Sequence, residues 1–364
     1  MRFVSPLLKR VIYPSMARAG VFRHASTHGL AVVTYHGVLP EAYQVIDPAL
    51  DGSLVTAASL REQLRLLKAN YNVISPEQMR QWCERNYELP PGAVLVTCDD
   101  GLVNAVTDML PILQEENVRC LFFVVGLSAA DAPGMLWYEE LYLMLAAAAE
   151  GPFSVPLSEV EVVGYLGSQG QRRALWWELS QFLVKCDYER CRHFLDAVRA
   201  KLALNGEFAS RYLTNQNARK RFSLLSRLDL QTLLSAGMSV GAHTLSHPML
   251  SQLPDDRAWY EMTESRRRLQ EAVGCPVWAL AYPFGGPGSV SRRELSMAQK
   301  AGYTGAFLSY GGGFGADLPR YALPRIHITC DMTLSEFEAH VSGFYRSLRK
   351  RLGREDPSVA AMLG

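Results

Sequence analysis

Val94-Leu-Val-Thr-Cys-Asp99-Asp100-Gly101 is an unbroken apolar run that ends in two adjacent carboxylates and a glycine. It lacks the alternation of a half-exposed strand, so it reads as a strand buried on both faces, the habit of parallel sheets. A helix-like stretch, Leu102–Glu116, follows it. The same kind of run recurs at Ala31–Tyr35, Cys120–Val125, Met238–Ala242, Val277–Tyr282, Thr304–Leu308 and Leu323–Ile328. Helical patterns lie between them. Ala57–Ala69 places leucines at 60, 64 and 67, and the charged, amphipathic Arg257–Val273 stops at Gly274. Strands alternating with helices define an α/β fold. Seven of them, with no dinucleotide-binding glycine fingerprint after the first, favour a closed barrel over an open sheet.

Two regions stand outside this rhythm. From 128 to 222 the only strand candidate is Glu161–Tyr165, among helical stretches Glu139–Glu150, Arg173–Lys185 and Glu189–Leu204. A segment that long needs structure of its own, so it reads as a mostly helical insertion within a barrel domain spanning 29–345. At the other exception, residues 1–28, Val4, Leu8, Val11 and Ile12 fall at helical spacing among Arg2, Lys9, Arg10, Arg18 and Arg23. Pro6 and Pro14 limit any long helix there. This segment either lies on an anionic membrane surface or packs against the barrel. Residues 346–364 read as a tail.

The bulk composition narrows the function. With 37 Lys plus Arg against 36 Asp plus Glu, the net charge is +1, and 48% of the 364 residues are hydrophobic. Dominant disorder is excluded, and the basic excess of a duplex-nucleic-acid binder is absent. The seven cysteines are scattered, odd in number and never spaced C-x-x-C. That argues against a disulfide scaffold and for reduced thiols in a cytoplasmic setting. There is no apolar run of secretory or transmembrane type, so the expectation is a cytoplasmic protein with a peripheral contact at the inner membrane as its membrane reading.

Asp99 and Asp100 sit where a buried strand ends, the edge on which α/β barrels build their sites. One aspartate there could be a helix cap, but two neighbouring carboxylates repel and need a cation or protons between them. A second strand, Met238–Ala242, leads into His243-Thr-Leu-Ser-His247. Two histidines four apart read as one face of a helical turn, both able to reach one metal ion. It is not the H-E-x-x-H zinc-protease helix, because position 244 is Thr and no glutamate adjoins. One carboxylate and two imidazoles form a facial set that leaves room for water and substrate. Further strand ends carry Tyr35-His36, Tyr282-Pro283-Phe284-Gly285 and Arg325-Ile-His327.

Thr97-Cys-Asp-Asp-Gly101, His243-Thr-Leu-Ser-His247 and Tyr282-Pro-Phe-Gly285, in that order, resemble the leading motifs of the NodB-type polysaccharide deacetylases, carbohydrate esterase family 4. The resemblance covers about 30–330 apart from the insertion. It implies a distorted (β/α)7 barrel and removal of an N-linked acyl group, usually acetyl, from a sugar. By that resemblance Asp99 is the catalytic base, and Asp100, His243 and His247 are the metal ligands. The chain departs from the pattern at Cys98, where the family has Phe, and at Ala281, where the family has the arginine that steadies the base. The late motif that carries the general acid is also missing. Tyr35-His36 followed by the Ser59–Ala69 helix looks like the permuted branch that includes the poly-N-acetylglucosamine deacetylases. There the acid matches His36, with His327 the second candidate, while Arg325 stands in for the missing arginine. Tyr282, Pro283, Phe284, Gly285, Arg325 and His327 are the substrate-side candidates.

The expected cofactor is one divalent ion, zinc first, with Co, Ni, Fe or Mn also suited to two imidazoles and a carboxylate. The expected substrate is a glycan, or a lipid-linked or nucleotide-activated amino sugar, whose phosphate would meet Arg172, Arg173, Arg219 or Arg221 in cell-surface or exopolysaccharide synthesis. No nucleic acid or protein partner is implied. Two rivals stand beside this reading: a catalytically impaired barrel that only binds glycan, and a deacylase of a non-sugar amide or ester.

Overall fold

A computed structural model describes residues 6–22, 29–85, 87–131, 134–157, 160–204, 208, 210–311 and 319–351. Ten strands occur among them: β1 Leu30–Tyr35, β2 Asn72–Ile74, β3 Ala93–Cys98, β4 Cys120–Val124, β5 Pro152–Leu157, β6 Val160–Tyr165, β7 Ser239–Ala242, β8 Ala279–Ala281, β9 Gly305–Gly311 and β10 Leu323–His327. Seven of them run parallel in the order β1-β10-β9-β8-β7-β4-β3, and β3 pairs back onto β1 from Leu30↔Ala93 to Tyr35↔Cys98. The ring is therefore a closed (β/α)7 barrel. β2 lies outside it, pairing the first half of β3 while β4 pairs the second half.

Strand parity explains why these runs are apolar throughout. Ala31, Val33, Val94, Val96, Cys120 and Phe122 pack outward in one core that includes Leu60, Leu64 and Leu67 of the Ala57–Asn70 helix. Leu30, Val32, Ala93, Leu95, Leu121, Phe123 and Leu323 pack in a second core. Both faces are dry, so neither can alternate with polar residues. Continuing the second parity towards the strand ends gives Thr34 and His36, Thr97 and Asp99, Arg325 and His327. The inward-facing series turns polar on reaching the C-terminal edge.

Between the β4 loop and the helix Arg227–Ser235, five helices (Trp137–Ala147, Gln169–Leu183, Tyr188–Lys201, Ser210–Thr214 and Gln216–Phe222) accompany the antiparallel pair β5–β6. Their core joins Leu141, Met144, Phe153, Val155, Leu179, Leu195 and Val198. β5 escapes the sequence reading because Pro152 and Pro156 argue against a strand, yet a two-stranded ribbon tolerates them at its unpaired edge. The helix behind β3 also departs from expectation. Its first turn, Ala105–Met109, is a π-turn closed by the Leu110 N–H bonding to Ala105 O. Pro111 supplies no N–H, and its ring would crowd the carbonyl of an α-turn, which the wider turn relieves.

At the N-terminal end, the turn Leu8–Ile12 leads into a helix Tyr13–Arg18. Tyr13 and Phe22 are buried against Ala339 and Phe344, and Lys9 pairs with Asp331 at 2.8 Å and Glu336 at 3.2 Å. Val4, Arg2 and Arg23 lie outside the described residues, as do 352–364 of the tail. No helix among the described residues is long and apolar enough to cross a membrane.

Candidate active site

The end of β3 sets the first half of the site. The Asp99 N–H donates to Tyr35 O at 2.9 Å, so the ladder with β1 runs one residue past the strand. The chain then turns sharply, with Asp100 at φ 72° and Gly101 at φ 76°. A Cβ on Gly101 would lie 2.6 Å from Val124 Cγ1, so glycine is required there. Asp100 holds an unfavourable conformation for a residue with a side chain, a cost of about 1 kcal/mol that the surrounding packing offsets. The turn sends the two neighbouring carboxylates in different directions.

The second half corrects the sequence reading. His243–His247 is not a helical turn but a loop after β7, with Thr244 at φ 61° and His247 at φ 67°. The loop is held from behind by the Asp255–Val273 helix. Glu261 accepts from the Leu245 and Ser246 N–H groups, both at 2.9 Å, and from Ser246 Oγ at 2.7 Å. Ser265 Oγ donates to Thr244 O at 2.8 Å. A buried carboxylate with three donors acts as an internal clamp, so Glu261→Ala is expected to lower metal affinity tenfold or more by releasing the loop. Chelator-competition titration of the purified variant measures this, and an unchanged constant would remove Glu261 from the site.

Asp100, His243 and His247 converge, each offering one ligand atom and all three atoms lying within 4.8 Å of one another. Asp100 Oδ1 is 3.5 Å from both His Nε2 atoms and has no hydrogen-bond partner. His243 Nδ1 lies 2.8 Å from Ala281 O, which can only accept, so Nε2 keeps its lone pair for a ligand. Burial would raise the Asp100 pKa, but the two imidazoles hold it well below the usual carboxylate range; burial pushes His247 down, while at His243 burial is outweighed by Asp100 and Asp99, which raise it. A deprotonated carboxylate and a neutral imidazole are the forms a metal needs. An orphaned buried oxygen between two ring nitrogens fits a divalent ion.

Asp99 faces a different partner. Arg325, fully buried on β10, grips both carboxylate oxygens at 2.6 Å in a bidentate fork. The same guanidinium donates to Leu308 O at 2.6 Å and Thr34 Oγ1 at 3.0 Å. Burial alone would raise the Asp99 pKa, and Arg325 together with His243 overrides it, leaving the group below its ordinary value. Each oxygen retains a second lone pair for a proton.

Asp99, Asp100, His243 and His247 line one cavity of about 390 Å³ together with His36, His327, Tyr138, Trp176, Trp177 and Phe284, whereas Arg325, expected on the substrate side, lies buried behind Asp99 and does not line it. The rings of His36, directly after β1, and His327, the last residue of the neighbouring β10, stand 4.6 Å apart. Of Tyr282–Gly285, Phe284 alone reaches the cavity, edge-on to His247 at 5.0 Å. Tyr282 is buried elsewhere with its hydroxyl donating to Tyr321 O at 3.0 Å, and Pro283 and Gly285 serve the turn rather than the lining. Gly285 is tight because a Cβ there would meet Ser309 N at 2.2 Å.

Three of the four arginines expected to meet a phosphate are occupied. Arg172 donates to four main-chain carbonyls, including Gly167 O and Leu166 O at 3.0 Å, and Arg173 pairs with Asp47 at 2.8 Å. Arg221 is buried against Asp51 and Glu139, and Arg219 does not line the cavity. Sequence reasoning missed Glu261, Glu139, Trp137 and Tyr138. Trp137 Nε1 donates to His247 O at 3.1 Å, and Tyr138 Oη donates to Asp100 Oδ2 at 3.4 Å. Both come from the inserted segment, and only their aromatic clustering hinted at them.

At the strand ends of the closed parallel barrel a carboxylate and two imidazoles gather beside a second, arginine-locked carboxylate. The polysaccharide deacetylase family model matches residues 194–306, a stretch with His243, His247 and Phe284 but without Asp99 and Asp100. The Bacillus subtilis (strain 168) protein YxkH, classed with the polysaccharide deacetylases, is 25% identical over 117 residues, 32% of this chain. The aligned part is 41% of that relative, so the chain spans less than half of its length. Among solved structures, IcaB from Ammonifex degensii superposes with a TM-score of 0.53 at 17% identity, covering 86% of this chain and 97% of that one. The Streptococcus pyogenes deacetylase PplD, solved with acetate, gives 0.52 at 17% identity, covering 86% and 99%. At such identities the structural likeness establishes the fold.

Proposed function

We propose that the protein is a metal-dependent deacetylase that hydrolyses the N-acetyl amide of an amino sugar in a glycan or glycan precursor. The observation that carries this reading is the convergence of Asp100, His243 and His247 with an arginine-locked Asp99 in one cavity. The ligand set suits zinc first among divalent ions. A bound divalent ion would supply Lewis-acid polarisation and a water of lowered pKa. Asp99 accepts the proton of the attacking water, steadied by Arg325 from a strand other than the family pattern uses. The leaving amine is a poor leaving group and needs a proton, which His36 supplies. His36 Nδ1 is buried without a hydrogen-bond partner, and His243 and His247 are committed as ligands. The products are acetate and a free amino sugar.

Arg325 also weakens the rival of an impaired glycan-binding barrel, because the group missing from the family's third motif is supplied here at 2.6 Å. Elemental analysis combined with acetate release from N-acetylglucosamine oligomers separates the two: metal without acetate would favour the binding barrel. For the acid, the basic limb of the pH–rate profile is expected to vanish in His36→Ala. Loss of that limb in His327→Ala alone reverses the assignment.

A peripheral membrane setting is the second part of the proposal. Leu7 and Val11 are 60% and 52% exposed beside Ile12, Arg10 and Arg18. Phe344, which packs on Phe22, opens the basic helix Phe344–Arg351 next to them. Apolar side chains ringed by arginines suit an anionic bilayer, and seven unpaired thiols suit a reducing compartment. The protein is expected to sediment with phosphatidylglycerol vesicles, not with phosphatidylcholine, and to be released by salt. Sedimentation with both kinds of vesicle alike, or with neither, overturns this part alone.

A further inference from the structure

We propose that Tyr138, from the inserted segment, is a positioning residue of the metal centre: its phenol hydroxyl occupies Asp100 Oδ2 and restricts Asp100 to ligation through Oδ1. The proposal rests on the deacetylase reading and gives the insertion a part in it. Asp100 divides its two oxygens. Oδ1 lies 3.5 Å from both imidazole Nε2 atoms with no hydrogen-bond partner, whereas Oδ2 accepts from Tyr138 Oη. A carboxylate free at both oxygens can chelate one cation through the pair, and the second oxygen then takes a position that water and substrate need. A donor on Oδ2 ties up that oxygen and leaves the ion three protein ligands and an open face.

At 3.4 Å the contact is long for two oxygens, so the surroundings, rather than a pull from Asp100, aim the phenol. Tyr138 sits in the first turn of the Trp137–Ala147 helix, and each residue of that turn is fastened to a different element. Trp137 Nε1 donates to His247 O, in the loop after β7, at 3.1 Å. Tyr138 O accepts from Trp176 Nε1, on the Gln169–Leu183 helix, at 2.8 Å. Glu139 is bound by Arg221 of the Gln216–Phe222 helix, and Glu140 by Arg192 and Arg199 of the Tyr188–Lys201 helix. Two adjacent buried carboxylates cost desolvation that their arginines at best offset, so what the network secures is placement. The Tyr138 ring also stands 5.6 Å from that of His247 and edge-on to Trp137 at 5.4 Å, which blocks a swing away from Asp100. Burial, then the Asp100 charge, push the phenol well above its ordinary pKa, so it stays a donor.

The test uses the full-length protein loaded with cobalt, and the variant Tyr138→Phe, which keeps the ring against His247 and Trp137. The wild type is expected to show the strong visible band of four- or five-coordinate cobalt. In Tyr138→Phe, with Oδ2 released to the ion, the band per bound cobalt should weaken severalfold as the coordination number rises. Loaded with zinc, the same variant should lose about tenfold in kcat for acetate release from N-acetylglucosamine oligomers, with KM nearly unchanged. A wild type without the strong band, or a variant that keeps it or binds no cobalt, overturns the proposal. Activity lost with the band intact would place the hydroxyl on the substrate instead. A weakened band in a protein that releases no acetate upholds the positioning role and refutes the deacetylase reading alone.

Discussion

Asp99→Asn is expected to retain bound metal and lose about 10³-fold in acetate release, whereas Asp100→Ala, His243→Ala and His247→Ala lose both metal and activity. The split follows from the turn at the end of β3. Asp100 projects towards the two imidazoles with an unpartnered oxygen, while Asp99 is gripped by Arg325 and none of the three ligand atoms belongs to it. Asparagine at 99 keeps the size and one acceptor oxygen but removes the proton acceptor. Elemental analysis of each purified variant beside an acetate assay resolves the pattern. Full metal occupancy in the double histidine variant would sink the ligand assignment.

Arg221→Met should destabilise the folded chain by about 3–5 kcal/mol, because it leaves two buried carboxylates without their shared cation. Asp51 and Glu139 are nearly inaccessible, and Arg221 binds both, along with Leu50 O at 3.0 Å. Burial, opposed by Arg221, already pushes the Glu139 pKa up to about 7 from an ordinary 4.5. For a carboxyl raised in this way, the contribution to stability is fully present below its unfolded value and is lost as pH rises through the folded one. Without Arg221 the ionised form is worse still, so the deficit should be larger at pH 8 than at pH 5. Urea unfolding at the two pH values measures both the size and the trend. The triple variant Asp51→Asn, Glu139→Gln, Arg221→Met should recover much of the loss.

All seven barrel strands were legible because their burial on both faces erases alternation and leaves unmistakable apolar runs. The carboxylate pair and the histidine pair were legible for a related reason: polar groups at the end of such runs have no packing role. The shape of the His243–His247 segment was not. A helical turn and a loop with two left-handed residues both bring positions four apart together, and only Glu261 and Ser265, some 20 positions further on, select the loop. The fate of the insertion's arginines was equally hidden. Arg173 meets Asp47 and Arg221 meets Asp51 across more than 120 positions, and no local pattern foretells which cations will be consumed internally. Arg325 is the instructive case, since its role was guessed from an absence at 281, whereas its reason is parity. It shares the inward series of β10 with Leu323 and His327, next to the seam that joins β10 to β1.

Under the proposed deacetylase function, that seam makes catalytic competence a late event in the chain's own synthesis. The guanidinium that steadies Asp99 arrives more than 220 positions after it, on the final barrel strand, and reaches across β1 to Thr34 and Thr97. A nascent chain that has emerged through β9 would hold the whole ligand triad, yet its proton acceptor would lack its guanidinium partner. Chemistry is therefore coupled to completion of the ring: a partly translated or nicked protein could sequester metal without consuming substrate.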